Sequence, residues 1–207
     1  MSTTLRRRPP LATIAGLAAI VLSVTLAIVA YAYYPWAFSP AANWISDLGN
    51  TILSPRGSIF FRLDMIALGA MLAAFFVGLR TWAHGQSLFV KLLIGVGQLA
   101  GFVGAIAAVM TGVFSENDYA AHALWATVLF IALATAVWFI GWAPVWHPGL
   151  SQRLSYLAFT VCAVDVLSVV ERRHWLEWVA VGLLLCFVGA VSVGTWSMTP
   201  SRVPRER

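Results

Sequence analysis

Charged residues are scarce in this sequence, and their scarcity excludes the commonest class of protein. Only 10% of the 207 residues are Asp, Glu, Lys or Arg, whereas about a quarter of an ordinary soluble domain is charged. Hydrophobic residues make up 60% of the chain, and the mean hydropathy is +0.84. A water-soluble fold would lack the polar surface that it needs, so the sequence predicts an integral membrane protein.

Cysteine is also rare, and several catalytic signatures are missing. Cys162 and Cys186 are the two cysteines, and their spacing does not suggest a metal site, so both are interpreted as small apolar residues of the interior. The sequence contains no H-E-x-x-H motif, no glycine-rich phosphate loop and no G-x-S-x-G elbow. No metal ligand is assigned and the cofactor is unknown, although zinc held by clustered acids and histidines, or a haem between His122 and His174, is conceivable.

Six apolar runs are each long enough for a helix to cross a bilayer, which requires about 20 residues. They cover residues 11–34, 59–79, 88–113, 120–142, 154–170 and 175–196. We therefore predict an all-α bundle of six transmembrane helices that forms a single domain over residues 1–207. The fifth run supports this least, because it is the shortest and contains Asp165. The first run exceeds the length of a signal-peptide core, so we expect it to be retained.

Basic residues are distributed unevenly between the two sides of the predicted bundle. Nine lie on the side of the N-terminus and four on the other, which predicts that both termini are cytoplasmic. The nine are Arg6, Arg7, Arg8, Arg80, Lys91, Arg153, Arg202, Arg205 and Arg207, and the four are Arg56, Arg62, Arg172 and Arg173. The basic ends, residues 1–10 and 197–207, are expected to meet anionic lipids of the plasma membrane. Topology explains this charge, so nucleic-acid binding is not expected.

The first connection, residues 35–58, is the longest between predicted helices, and we expect an ordered loop on the outer side. Loops of this length without structure of their own are disproportionately functional. This loop contains the run AANWISDLGN at positions 41–50, in which Asp47 is the acid. Trp44 is well placed to be an interfacial anchor.

Acidic residues gather at the predicted outer side. Seven of the eight lie in outer loops or in the outer third of a helix, and Glu206 lies in the cytoplasmic tail. Asp64 and Asp165 are predicted about five residues, or roughly 8 Å, inside the outer ends of helices two and five. Part of this pattern follows from topology, but an ionisable group in the apolar zone is costly and usually faces a polar interior with a partner. Arg62 is the predicted partner for one of these acids.

Helices four and six each begin with an acid and a histidine on one face. Asp118 and His122 are four residues apart, and His174 and Glu177 are three apart. An imidazole that a carboxylate orients can accept a proton or bind a metal. The plainer interpretations are a hydrogen-bonded packing histidine, an ordinary interfacial helix start, and acids, Glu116 among them, that stabilise the positive end of the helix dipole.

Several short motifs carry a resemblance to a known group of membrane proteins. They are WISDLG at 44–49, SPRGSIFF at 54–61, Gly112-Val113-Phe114 with Ala121-His122 and Phe130, and Leu176-Glu177-Trp178. The chain resembles the Frag/DRAM/Sfk-type membrane proteins, and more closely a related prokaryotic six-helix family, the domain-of-unknown-function family numbered 998. The resemblance implies an ordered loop that presents Asp47 toward helices four and six. Eukaryotic members are associated with lipid remodelling of membrane anchors, phosphoinositide-linked membrane organisation and autophagy, whereas the prokaryotic family has no assigned reaction.

These observations favour an outward-facing polar pocket that binds or senses a lipid or lipid-like ligand. One alternative is a membrane-embedded lipid hydrolase or transferase that uses Asp47, His122 and Glu177, either as a general base with its orienting acid or through a bound metal. A small-solute or proton-coupled transporter and a structural, partner-stabilising protein are further alternatives, so enzymatic activity is left open. The ligand-binding residues are predicted to be Ser46, Arg62, Glu116, Asp118 and His174.

Overall fold

The structure is a computed structural model that describes residues 8–198, and in this range the chain forms six long helices and no strand. They are α1 (Leu11–Ala32), α2 (Ser58–Gly78), α3 (Leu88–Val113), α4 (Tyr119–Trp146), α5 (Arg153–Glu171) and α6 (His174–Ser197). Each is long and apolar enough to cross a membrane. The chain is therefore an all-α, multi-pass membrane protein, as predicted.

Most helix boundaries lie within two residues of the predicted ones. The α3 helix has the predicted bounds, and α5 forms despite the buried Asp165 within it. The α4 helix runs to Trp146, four residues past the predicted end, with Pro144 inside its last turn. A proline removes one backbone hydrogen bond, and near the end of a helix this loss is easily tolerated. Residues Leu79–Ala83 extend α2 as a short 3-10 helix.

The helices form a closed ring in chain order. Each helix packs on the next, from α1 to α6, and α6 closes the ring against α1. The short connections from α2 to α6 explain most of this order, because they place consecutive helices side by side and antiparallel. The α1–α2 connection is the long one, and it packs on the end of the bundle. The closing contact includes a buried hydrogen bond of 2.9 Å from the Thr13 hydroxyl of α1 to the Ser192 carbonyl of α6.

The two ends of the ring differ in character. At one end the buried Trp82 donates its indole N–H to the Thr195 hydroxyl at 3.0 Å. The other end holds the α1–α2, α3–α4 and α5–α6 connections, and we call it the predicted outer end. The orientation in the membrane stays a prediction, and five of the basic residues that support it, Arg6, Arg7, Arg202, Arg205 and Arg207, lie outside the described range.

Candidate functional site

The α1–α2 loop folds around a 3-10 helix, Ile45–Gly49, that Asp47 stabilises. One carboxylate oxygen of Asp47 accepts hydrogen bonds from the backbone N–H of Trp44 and the side-chain amide of Asn43, both at 3.1 Å. Asp47 is 8% exposed. A carboxylate that accepts two N–H donors in this way caps the helix start, so Asp47 has a structural role in the loop.

The loop is fastened to the start of α6. The Glu177 carboxylate accepts the backbone N–H of Ile45 at 2.8 Å, and the Trp178 indole donates to the Asn43 carbonyl at 3.0 Å. The Trp44 ring lies against the His174 ring with their centroids 4.4 Å apart. The two hydrogen bonds join positions 132 and 135 residues apart in sequence, so the loop is part of the folded bundle.

Asn50 fastens the same loop to the α3–α4 connection. Its side-chain NH₂ donates to the Glu116 carboxylate at 3.0 Å, and its side-chain oxygen accepts a hydrogen bond from the side-chain NH₂ of Asn117 at 3.2 Å. Thr51 donates hydrogen bonds from its backbone N–H and its hydroxyl to the side-chain oxygen of Asn117, each at 2.8 Å. The loop therefore spans the predicted outer end from α6 to the start of α4.

His122 lies in the first turn of α4 and is 5% exposed. Its Nδ1 is 2.9 Å from the Phe114 carbonyl oxygen. A carbonyl only accepts, so this contact assigns the proton to Nδ1 and makes Nε2 of the neutral ring an acceptor. Nε2 is buried and finds no hydrogen-bond partner within residues 8–198.

A cavity of about 200 Å³ opens beside this histidine, between the loop, α4, α5 and α6. Its walls combine acids, hydroxyls and apolar side chains. The lining residues are Trp44, Ser46, Glu116, Tyr119, His122, Ala123, Ala126, Thr127, Phe130, Ser168, Val169, Arg172 and Glu177. Three predicted residues, Ser46, Glu116 and Glu177, thus share one cavity with His122.

Negative charge dominates the neighbourhood of the cavity. Burial raises the pKa of the Glu116 carboxyl above its usual 4.5; the hydrogen bond from Asn50 opposes the rise, and the charge of Asp47 adds to it. Burial also raises the pKa of Tyr34, with smaller contributions from Asp47 and Glu116. Both acids act electrostatically on Glu177 as well. Three carboxyl groups from distant segments therefore share one electrostatic environment.

The family model described as "Protein of unknown function (DUF998)" matches residues 17–196. This match runs from the first transmembrane helix to the last and includes every residue that lines the cavity. The chain belongs to the DUF998 family. No curated protein and no solved structure is detectably similar to it. The predicted relation to the Frag/DRAM/Sfk-type proteins stays a prediction.

Three of the predicted binding residues of this DUF998 protein lie outside the cavity. Arg62 was predicted to pair with an acid, but its guanidinium donates to the Gly112 carbonyl at 3.0 Å and the Val113 carbonyl at 3.3 Å. It therefore satisfies the free carbonyls at the end of α3. Asp118 is exposed and its side chain forms no cap. The His174 ring packs at a tilt against Trp44 of the outer loop and does not line the cavity.

Asp64 in α2 and Asp165 in α5 also do not line the cavity. Both carboxylate oxygens of Asp165, and one of Asp64, are buried without a hydrogen-bond partner in the described part of the chain. Asp165 lies one turn from Ser168, whose hydroxyl donates to the Asp165 carbonyl at 2.8 Å. Ser168 lines the cavity and Asp165 does not.

Sequence reasoning about this DUF998 protein missed Arg172 as a cavity residue. It was predicted as one of the four basic residues of the outer side. In the structure Arg172 ends α5 in the left-handed conformation, with φ of 48°, and lines the cavity. Non-glycine residues rarely adopt this conformation. The signal in the sequence was the very short α5–α6 connection, which holds both helix ends at the same site.

Proposed function

We propose that this protein binds a lipid or lipid-like ligand in the cavity at its predicted outer end. The observation that carries the proposal is the unpaired Nε2 of His122, buried in a wall that also contains Glu116 and Glu177. A buried polar atom without a partner is uncommon, since leaving it unsatisfied costs about 1 to 3 kcal/mol. A ligand that donates a hydrogen bond to Nε2 removes this cost.

The size and lining of the cavity favour a headgroup with an apolar body attached. A cavity of about 200 Å³ has room for several water molecules and therefore for a small polar headgroup. Ala126, Phe130 and Val169 supply apolar wall on α4 and α5. The same two helices expose Leu124 and Val166, against which acyl chains can lie. The ligand is therefore amphipathic and approaches from the membrane.

Native mass spectrometry of the purified protein tests this proposal, because it identifies lipids that remain bound. Ala126→Phe fills the cavity with a ring, and Leu124→Phe introduces the same ring at a position that is 59% exposed on the same helix. We expect wild type and Leu124→Phe to retain a lipid that Ala126→Phe loses. Equal retention by both variants would refute the proposal, provided that both unfold at the same temperature as wild type.

A lipid hydrolase or transferase is the second candidate, and the state of His122 favours it specifically. A histidine whose Nδ1–H is held by an acceptor presents Nε2 as a general base. The holding group is the Phe114 carbonyl, whereas the sequence hypothesis assigned this task to Asp47 or Glu177. Within residues 8–198 no three His, Cys, Asp or Glu side chains are arranged to hold a metal ion. Release of headgroup or acyl chain from labelled lipids by wild type, lost in His122→Gln, would support the enzyme.

The cavity is proposed to face the outside of the plasma membrane, with both termini in the cytoplasm. This topology is supported by the nine basic residues on one side against four on the other. Labelling of a single cysteine at Thr51, in a background without Cys162 and Cys186, by a membrane-impermeant maleimide in intact cells tests it. Labelling only after lysis would reverse the assignment. A solute or proton-coupled transport role stays a prediction.

A further inference from the structure

Acceptor groups outnumber cationic donors around the cavity. Glu116 and Glu177 line it, and Asp47 is close enough to act electrostatically on both. In the part of the chain that the structure describes, none of these carboxylates forms an ion pair with Lys or Arg; the ion pair present there joins Arg173 to Glu171 at 3.7 Å. The uncompensated charge therefore favours a cationic group.

His122 adds a further acceptor, and it restricts the kind of cation. Its Nδ1–H is already used by the Phe114 carbonyl, so the lone pair of Nε2 is the remaining hydrogen-bonding group of the neutral ring, and it has no partner within the described residues. A cation that carries no N–H group would leave this buried lone pair unsatisfied. The matching ligand group has both positive charge and hydrogen-bond donors.

We propose that the ligand of this cavity carries a primary ammonium group. This inference rests on the proposed lipid-binding function and names its headgroup class, a lipid amine of the ethanolamine type. A primary ammonium has one positive charge and three N–H donors, so it can contact a carboxylate and Nε2 of His122 at once. A choline headgroup has the charge without the donors, and a glycerol headgroup has donors without the charge.

Arg172 provides the complementary charge for the rest of such a headgroup. It lines the cavity from the end of α5. In an ethanolamine headgroup two carbons separate the nitrogen from the phosphate oxygen, and a guanidinium binds phosphate through two parallel N–H donors. The cavity thus offers groups of both signs to a zwitterionic headgroup, with the carboxylates in excess.

A titration of the full-length protein in detergent, read by native mass spectrometry, tests the headgroup directly. The probes are dihexanoyl phosphatidylethanolamine, phosphatidylcholine and phosphatidylglycerol, with free phosphoethanolamine as the soluble amine. We expect the ethanolamine lipid to bind at least tenfold more tightly than the choline or glycerol lipid. Free phosphoethanolamine should bind more weakly than its lipid, because it lacks the apolar chains.

Two matched variants locate the ammonium site. Glu116→Gln keeps an oxygen that can accept the Asn50 amide but removes the charge from the cavity. Glu171→Gln removes a charge from the same end of the bundle at a residue that is exposed and does not line the cavity. We expect about a tenfold loss of affinity for the ethanolamine lipid in the first variant, an unchanged affinity in the second, and unchanged weak binding of the choline lipid in both.

The outcomes separate this inference from the function on which it rests. Equal affinity of wild type for the ethanolamine and choline lipids overturns the ammonium proposal and leaves lipid binding intact, and this result needs no variant to fold. Tight binding of free phosphoethanolamine, equal to that of its lipid, supports the ammonium site and refutes the lipid function. Failure of all four probes to bind overturns both.

Discussion

Glu177 fastens the outer loop to α6, and its two neutral variants should differ in stability. Its carboxylate accepts the Ile45 N–H at 2.8 Å. Glu177→Gln retains an oxygen acceptor at this position, whereas Glu177→Ala leaves the Ile45 N–H without one. Both variants remove the negative charge, so relief of repulsion from Asp47 and Glu116 cancels when the two are compared.

The remaining difference is the hydrogen bond and the volume of the side chain. Leaving a donor unsatisfied costs about 1 to 3 kcal/mol, so we expect Glu177→Ala to be less stable than Glu177→Gln by about 2 kcal/mol. In a chain of this size ~1 kcal/mol shifts the melting temperature by about 2 to 4 °C, which gives a difference of roughly 4 to 8 °C.

Thermal unfolding of both variants in one detergent measures the global effect, and hydrogen–deuterium exchange of peptides that cover residues 43–50 measures the local one. Exchange should accelerate in Glu177→Ala and remain as in wild type in Glu177→Gln. If both variants melt at the same temperature and exchange alike, Glu177 does not hold the loop, and the reasoning about this contact is refuted.

Three further predictions concern packing, a helix end and pH. Gly69→Ala should lower the free energy of unfolding by about 1 to 3 kcal/mol, because the added Cβ would lie 2.5 Å from the Ala105 carbonyl oxygen. Gly95→Ala, whose Cβ would have nothing within 4 Å, should raise it by up to about 1 kcal/mol. Equal melting temperatures for the two variants would contradict this prediction. Arg62→Met removes two hydrogen bonds to backbone carbonyls and should lower the free energy of unfolding by about 1 to 2 kcal/mol. A melting temperature equal to that of wild type would show that these hydrogen bonds do not stabilise the fold. Because the pKa of Glu116 is raised in the folded protein, the folded chain holds this proton to higher pH than the unfolded chain, so stability falls as the pH rises from about 4.5 toward the folded-state pKa. In Glu116→Gln the melting temperature, measured over the same pH range, should fall less than in wild type.

The helices could be predicted from the sequence because a bilayer leaves the chain few choices. A run of some 20 apolar residues must satisfy its own backbone, and only a helix does so within one segment. The predicted end of α4 was early because Ala143-Pro144 suggests a helix end, whereas the structure tolerates Pro144 in the last turn. Such local exceptions depend on packing that a single segment does not reveal.

The site was only partly predictable, because backbone groups orient several of its side chains. The concentration of acids at one end of the bundle followed from the sequence, and Glu116, Glu177 and His122 do share a cavity. The groups that orient them are largely backbone N–H and carbonyl groups, such as the Phe114 carbonyl at His122, and every residue carries these. Side-chain chemistry therefore suggested carboxylates as the hydrogen-bond partners of His122 and Arg62. In the structure both side chains are bonded to backbone carbonyl groups instead.

The contact between Ile45 and Glu177 joins positions 132 residues apart, and this separation sets the order in which the site can be completed during biosynthesis. The outer loop emerges from the ribosome after the first helix, yet its partner carboxylate arrives only with the sixth. Until then the Trp44 ring and the Ile45 N–H lack their partners on α6. Nascent chains that stall before α6 consequently carry an outer loop without its docking site on α6.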